Sequence, residues 1–178
     1  MAIEIVYETH STTVDNEQGR ATGWLPGELS ARGRAEAREL GDRRRTDGIA
    51  AVFSSDLGRA VETVSIAFGG GDVPLLYDWR LREWDYGQCN GMPATGMRKR
   101  EHVDQPYPGG ESGRQAVARI GRFLGDLPLR WEGKRVLVVG HAATRWGLDR
   151  FLGGAFLEDL AREDFAWQPG WEYRQDRT

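Results

Sequence analysis

Three side chains with chemical potential stand where apolar runs end. His10 lies in "YETHSTTVDN", directly after the apolar run at 3–7, among small hydroxyl residues that can do little packing. His141 follows "RVLVVG" (135–140), and Arg59 opens the stretch after "IAAVFSS" (49–55). A neutral imidazole is a competent nucleophile or proton carrier near pH 7, and a guanidinium binds oxyanions through charge-assisted hydrogen bonds. A histidine taken singly is more often structural than catalytic, and His102 in "MRKREH" keeps that reading. His10, Arg59 and His141 together would make a site for a dianion if the fold gathers them.

The elements needed to gather them are readable. The runs 3–7, 49–55 and 135–140 are short, rich in β-branched residues and bounded by polar or small ones, which suits buried strands of an α/β sheet. Between the first two, Leu29, Gly33, Ala37 and Leu40 recur at helical spacing and predict a helix over 30–45. Leu57, Ala60, Val61, Val64 and Phe68 predict a second over 56–68, stopped by Gly69 to Gly71. In "ESGRQAVARIGRFLGDL", Ser112 and Gln115 form a capping box before the stripe Val117, Ile120, Leu124 and Leu127. A further helix carrying Trp146, Leu148 and Leu152 follows His141, and "GWEYRQ" reads as an edge strand. The order predicts one domain over 1–178, a three-layer α/β/α sandwich with a mainly parallel sheet and an irregular cover segment at 85–110. Ligands in such sheets sit beyond the carboxyl ends of the strands, where His10, Arg59 and His141 should meet.

In this order the motifs resemble those of the histidine phosphatase superfamily, in the branch holding phosphoglycerate mutases and small phosphatases. The resemblance rests on "THSTTVDN", "LSARGRAEA", "SSDLGRAVET", "LREWDYGQCNG", "PGGES" and "VVGHA", and runs from 3 to about 152. It implies a phosphoglycerate mutase-like fold and a two-step phosphoryl transfer. His10 would carry the phosphoryl group, and Glu83 would protonate the leaving oxygen and later activate water. His141 and Arg59 would bind the equatorial oxygens, and Asn16 would add a hydrogen bond. Ser11, Thr13 and Ala142 occupy neighbouring motif positions. The implied reaction requires no cofactor and no metal.

The chain departs from the family pattern at its first motif. Thr9 stands where the family has an arginine, Glu8 precedes it, Ser11 replaces a glycine, and Ala142 and Ala143 follow the second histidine. Losing one charged donor from a preorganised site costs roughly a hundredfold to a thousandfold in rate. Three readings compete. Arg20, Arg82 or Arg145 could fill the vacancy and leave a working phosphatase, the reading preferred here. The scaffold could instead act on a substrate other than a phosphate monoester, with His10, Glu83 and His141 as acid–base groups. It could also be a non-catalytic binding or regulatory domain, against which the retention of both histidines, Glu83 and Arg59 argues. Glu8 shares a face with His10 only if the first strand continues that far.

The net charge of -3 asks for neither nucleic acid nor an anionic membrane surface. Cys89, the single cysteine, allows no intramolecular disulfide, and the start of the chain has neither a signal-peptide nor a presequence pattern. No apolar run approaches a membrane span, so the expected location is the cytoplasm and the expected partner a small phosphorylated molecule. The short segment 85–110 favours water over a second substrate as acceptor, hence phosphatase over mutase. Trp79, Trp84, Tyr86 and Tyr107 bracket that segment and could stack on a ring or form core. "MRKREH" could steer an anion or be a solvated charged face. Trp167 and Trp171 could close a homodimer interface or the end of the core.

Overall fold

The computed structural model describes residues 1–163 and 165–176. Its strands are β1 (Ile3–Thr9), β2 (Ala51–Ser54), β3 (Leu75–Tyr77), β4 (Arg135–Gly140) and β5 (Trp171–Gln175). They form one sheet in the order β3-β2-β4-β1-β5; β3, β2, β4 and β1 are parallel, and β5 closes the edge antiparallel to β1. The helices among the described residues are α1 (Val14–Glu17), α2 (Ala31–Arg44), α3 (Gly58–Phe68), α4 (Gly113–Asp126), α5 (Pro128–Trp131), α6 (Ala142–Phe151) and α7 (Leu157–Leu160).

Two apolar clusters divide the molecule into three layers. Ile3, Ile5, Tyr7, Phe53, Val136 and Val138 face Ile120, Phe123 and Leu124 of α4 and Leu148 of α6. Val6, Val52, Leu137 and Val139, alternating with them along the strands, face Leu40 of α2 and Val64, Ala67 and Phe68 of α3. The central strands are therefore buried on both sides, which explains why they read as continuous apolar runs. Burying both faces is also the source of most of the stability, at about 25 cal/mol per Å² of apolar surface removed from water.

Local signals set the helix starts. Ser30 caps α2 by accepting from the Gly33 amide at 3.1 Å, and Ser112 and Gln115 make the reciprocal capping box of α4. In contrast, α3 starts at Leu57 with no side-chain cap. Its C-cap Gly69 has φ -60°, and Gly70 takes the left-handed conformation at φ 93°. β3 was not legible: its three residues, Leu75–Tyr77, are too few to show an alternating pattern. The segment 85–110 holds only single 3-10 turns around Gly87–Cys89, Ala94–Gly96 and Lys99–His102. Trp84, Tyr86 and Tyr107 are buried in its own cluster with Met97, Ala116 and Ala143, so these rings are core. Trp79 is exposed, Trp171 packs on Tyr7 with ring centroids 5.4 Å apart, and His102 stacks on Tyr107. Among the described residues no helix is long and apolar enough to cross a membrane.

Candidate active site

The parallel register carries both histidines to the same end of the sheet. Thr9 pairs with Gly140, and the His10 amide continues the ladder by donating to the Gly140 carbonyl at 2.9 Å. The two imidazole rings consequently lie 5.0 Å apart, tilted by 49°. Below them Tyr7 donates its hydroxyl proton to the His141 carbonyl at 2.7 Å and fixes the top of β4.

The hydrogen bonds assign the protons. His10 Nδ1 lies 2.8 Å from the Ser11 carbonyl, which only accepts, so Nδ1 bears the proton and Nε2 keeps its lone pair. At His141, Nδ1 lies 3.3 Å from an Arg59 nitrogen, which only donates, so Nε2 bears the proton and donates to Ser55 Oγ at 2.6 Å. Burial and, next, the Arg59 charge push His10 down to about 3. The same causes in the same order, with His10 third, hold His141 well below the usual imidazole range. Both rings are neutral at pH 7 as a result.

Arg59 is buried at 2% exposure, and its guanidinium donates to the carbonyls of Leu25 at 3.0 Å and Gly23 at 2.8 Å as well as to His141. It thus braces the loop at 23–25 beneath the imidazoles and does not line the cleft. The sequence shows why it reaches there: Arg59 sits in the first turn of α3, one residue after Gly58, directly beyond β2.

Glu83 does line the cleft, and it is held hard in place. Its Oε1 accepts from the amides of Trp84 at 2.8 Å and Ala143 at 3.1 Å, the latter in the first turn of α6. Its carbonyl accepts from Trp24 Nε1 at 2.6 Å and from Arg119 at 2.8 Å. Arg119 is the unforeseen organiser of this corner. Its five N–H groups are all used, on the carbonyls of Arg80, Arg82 and Glu83 and on both oxygens of Glu111, at 2.7 to 2.9 Å. From sequence it is one arginine on an amphipathic helix, and its burial has no local signature.

The cleft measures about 620 Å³ and is lined by Thr9, His10, Ser11, Asn16, Glu83, His141 and Ala142 among others. Thr13 is buried outside it as the cap of α1, exchanging hydrogen bonds of 3.0 Å with Asn16. Ser11 donates its amide to Thr63 Oγ1 at 3.1 Å. Of the arginines that could fill the vacancy at Thr9, none lines the cleft. Arg82 forms a two-point ion pair with Asp56 at 2.6 Å and stacks on Trp24, Arg145 pairs with Asp149 at 3.2 Å over the Trp171 ring, and Arg20 donates to the Gly91 carbonyl. The guanidinium groups that do line it, Arg32 and Arg43, come from α2. Glu8 is in the cleft lining too, but it is buried in ion pairs with Arg43 at 3.1 Å and Arg44 at 2.8 Å. Among the described residues no three His, Cys, Asp or Glu side chains gather to share a metal ion.

α2 can lie this close to the His10 loop because Gly33 has no side chain: a Cβ there would collide with the Thr12 carbonyl. The Ser30 amide donates to that same carbonyl at 3.0 Å, and Glu36 accepts from the Thr12 amide at 2.9 Å.

With this geometry in view, the comparisons with known proteins agree. The model of the histidine phosphatase superfamily (branch 1) matches residues 9–166, and the chain belongs to that superfamily. It is 33% identical to a 2,3-bisphosphoglycerate-dependent phosphoglycerate mutase of Methylobacterium sp. (strain 4-46), over 88% of this chain and 83% of that one. Among solved structures, YhfR of Bacillus stearothermophilus superposes with a TM-score of 0.84 at 27% identity, covering 96% of this chain and 90% of that one. A mycobacterial glucosyl-3-phosphoglycerate phosphatase, solved with VO3, gives a TM-score of 0.78 at 25% identity over 90% and 85%. The relatives thus carry the names of both mutases and phosphatases, and the phosphoglycerate mutase-like α/β fold expected from sequence is the one observed.

Proposed function

We propose that the protein is a phosphatase that hydrolyses a small phosphate monoester through a phosphohistidine on His10. One observation carries the reading: the Ser11 carbonyl holds the Nδ1 proton, leaving a neutral Nε2 lone pair as nucleophile in a cleft that also contains Glu83. Nε2 attacks phosphorus as the ester oxygen departs, and Glu83 gives that oxygen its proton; water, deprotonated by Glu83, then releases phosphate from His10. The positive end of α6 and the buried Arg59 charge favour the dianion from below. His141 has both ring nitrogens engaged, so it meets a phosphate oxygen by releasing Ser55.

Hydrolysis is favoured over mutase activity because no residue of 85–110 lines the cleft, so nothing from that segment shields the phosphohistidine from water. Mass spectrometry of protein mixed with p-nitrophenyl phosphate and rapidly quenched at alkaline pH, where phosphohistidine survives, should show a phosphoryl adduct together with phosphate release. Neither should appear in His10→Ala. Intact His10 and no phosphate release would instead favour acid–base chemistry on a substrate that is not a phosphate monoester.

A further inference from the structure

The cleft extends well past His10. One face of α2, carrying Arg32, Glu36, Glu39, Leu40 and Arg43, forms its wall. From Arg32 to Arg43 the helix advances about 16 Å at 1.5 Å per residue. The same cleft is lined by Phe165 and Trp167, which are 52% and 61% exposed. Arg44 links α2 to the chain after Trp167 by donating to the Pro169 carbonyl at 3.1 Å.

The charges of this outer half are paired except for one carboxylate. Both of its guanidinium groups are committed to acids, Arg32 to Glu36 at 2.7 Å and Arg43 to Glu8 at 3.1 Å. Glu39 is exposed and makes no ion pair or hydrogen bond among the described residues. Glu8 is matched by Arg43 and Arg44 and Glu36 by Arg32, so among the described residues Glu39 is the carboxylate of this half left without a partner. A second anionic group on the substrate would find no uncommitted cation there. A positive group would find a free carboxylate and two aromatic faces, the combination that binds substituted ammonium ions.

We propose that this outer half binds a cationic nitrogen on the organic part of the substrate, so that the protein selects phosphate monoesters of amino alcohols over phosphate esters bearing a carboxylate. This rests on the phosphatase reading and adds the substrate class. The phosphate end meets the first turn of α6 beside His10 and His141, and the nitrogen end meets Glu39 and Trp167, which matches a substrate with opposite charges at its two ends.

The test compares kcat/KM for phosphocholine, phosphoethanolamine, glycerol 3-phosphate, 3-phosphoglycerate and p-nitrophenyl phosphate. Phosphocholine should exceed glycerol 3-phosphate by about tenfold, with 3-phosphoglycerate lowest. Glu39→Gln and Trp167→Ala should each shrink the ratio of phosphocholine to glycerol 3-phosphate by about fivefold. Calorimetric binding of phosphocholine and glycerol 3-phosphate to His10→Ala is read alongside, since binding there needs no chemistry. Hydrolysis of p-nitrophenyl phosphate with glycerol 3-phosphate or 3-phosphoglycerate matching phosphocholine would overturn the inference and leave the phosphatase intact. No turnover of any ester, with tighter binding of phosphocholine than of glycerol 3-phosphate, would remove the phosphatase reading and uphold the subsite. Equal binding without turnover would overturn both.

Discussion

Replacing Arg119 by methionine keeps much of the buried volume but deletes five hydrogen bonds at once. The guanidinium is 1% exposed and its partner Glu111 19% exposed, so water cannot easily replace what is lost. Three carbonyls and one carboxylate are left short of donors, and breaking one partner of a buried ion pair costs about 3 to 5 kcal/mol. Against a total stability of about 5 to 15 kcal/mol, that is enough to move a urea midpoint substantially. Arg119→Lys should recover less than half, because an ammonium has three donors on one atom and cannot span the carbonyls of 80–83 and both Glu111 oxygens. In the folded fraction the Glu83 loop loses one of its anchors, Trp24 and the Trp84 and Ala143 amides remaining, so kcat should fall by about tenfold while KM changes less. Denaturant melts and initial rates on p-nitrophenyl phosphate measure both effects. A methionine variant within about 1 kcal/mol of the parent, with unchanged kcat, would refute the claim that Arg119 positions Glu83.

Three further perturbations have defined outcomes. His10 and His141 are held below the ordinary imidazole range, so in the native protein they stay neutral while the unfolded chain takes up protons near its ordinary pKa. Their contribution is fully present above about pH 6.5 and is lost as pH falls below it, for His10 down to about 3, at up to about 1.4 kcal/mol per pH unit for each ring. Ring proton shifts of the free protein should accordingly stay flat between about pH 8 and 5, and a titration near 6.5 in either ring would contradict the assigned environment. Gly33→Ala should destabilise by about 1 to 3 kcal/mol in a thermal melt, since the new methyl must push α2 off the Thr12 carbonyl. Thr9→Arg puts a guanidinium into the cleft lining and should raise kcat/KM on p-nitrophenyl phosphate by about tenfold; no gain, with the fold intact by circular dichroism, would mean that the site does not lack a cation there.

The sequence carried the layers because their signals are local. A strand buried on both faces must be apolar throughout, and a helix on a sheet must bury one stripe, so β1, β2, β4 and helices α2, α3, α4 and α6 were visible, with the capping box at Ser112. The convergence of His10 and His141 followed from strand ends and parallel order, and Glu83 from motif resemblance alone. β3 escaped because its three apolar residues are too few to show alternation.

What depended on tertiary packing was where long charged side chains end. Arg82 and Arg145 stand next to motif residues in the chain, yet Asp56 and Asp149 capture them. Arg43 and Arg44, far along α2, reach back to Glu8, and Arg119 crosses from α4 to hold the Glu83 loop. Periodicity places a Cα and a face, whereas an arginine head lies several rotatable bonds away and goes wherever the assembled structure leaves an acceptor unsatisfied. The placement of His10 and His141 and the sheet that aligns them were therefore determined by the sequence pattern. The tautomers, the charge balance of the cleft and the aromatic wall at Phe165 and Trp167 were decided only when distant segments packed together.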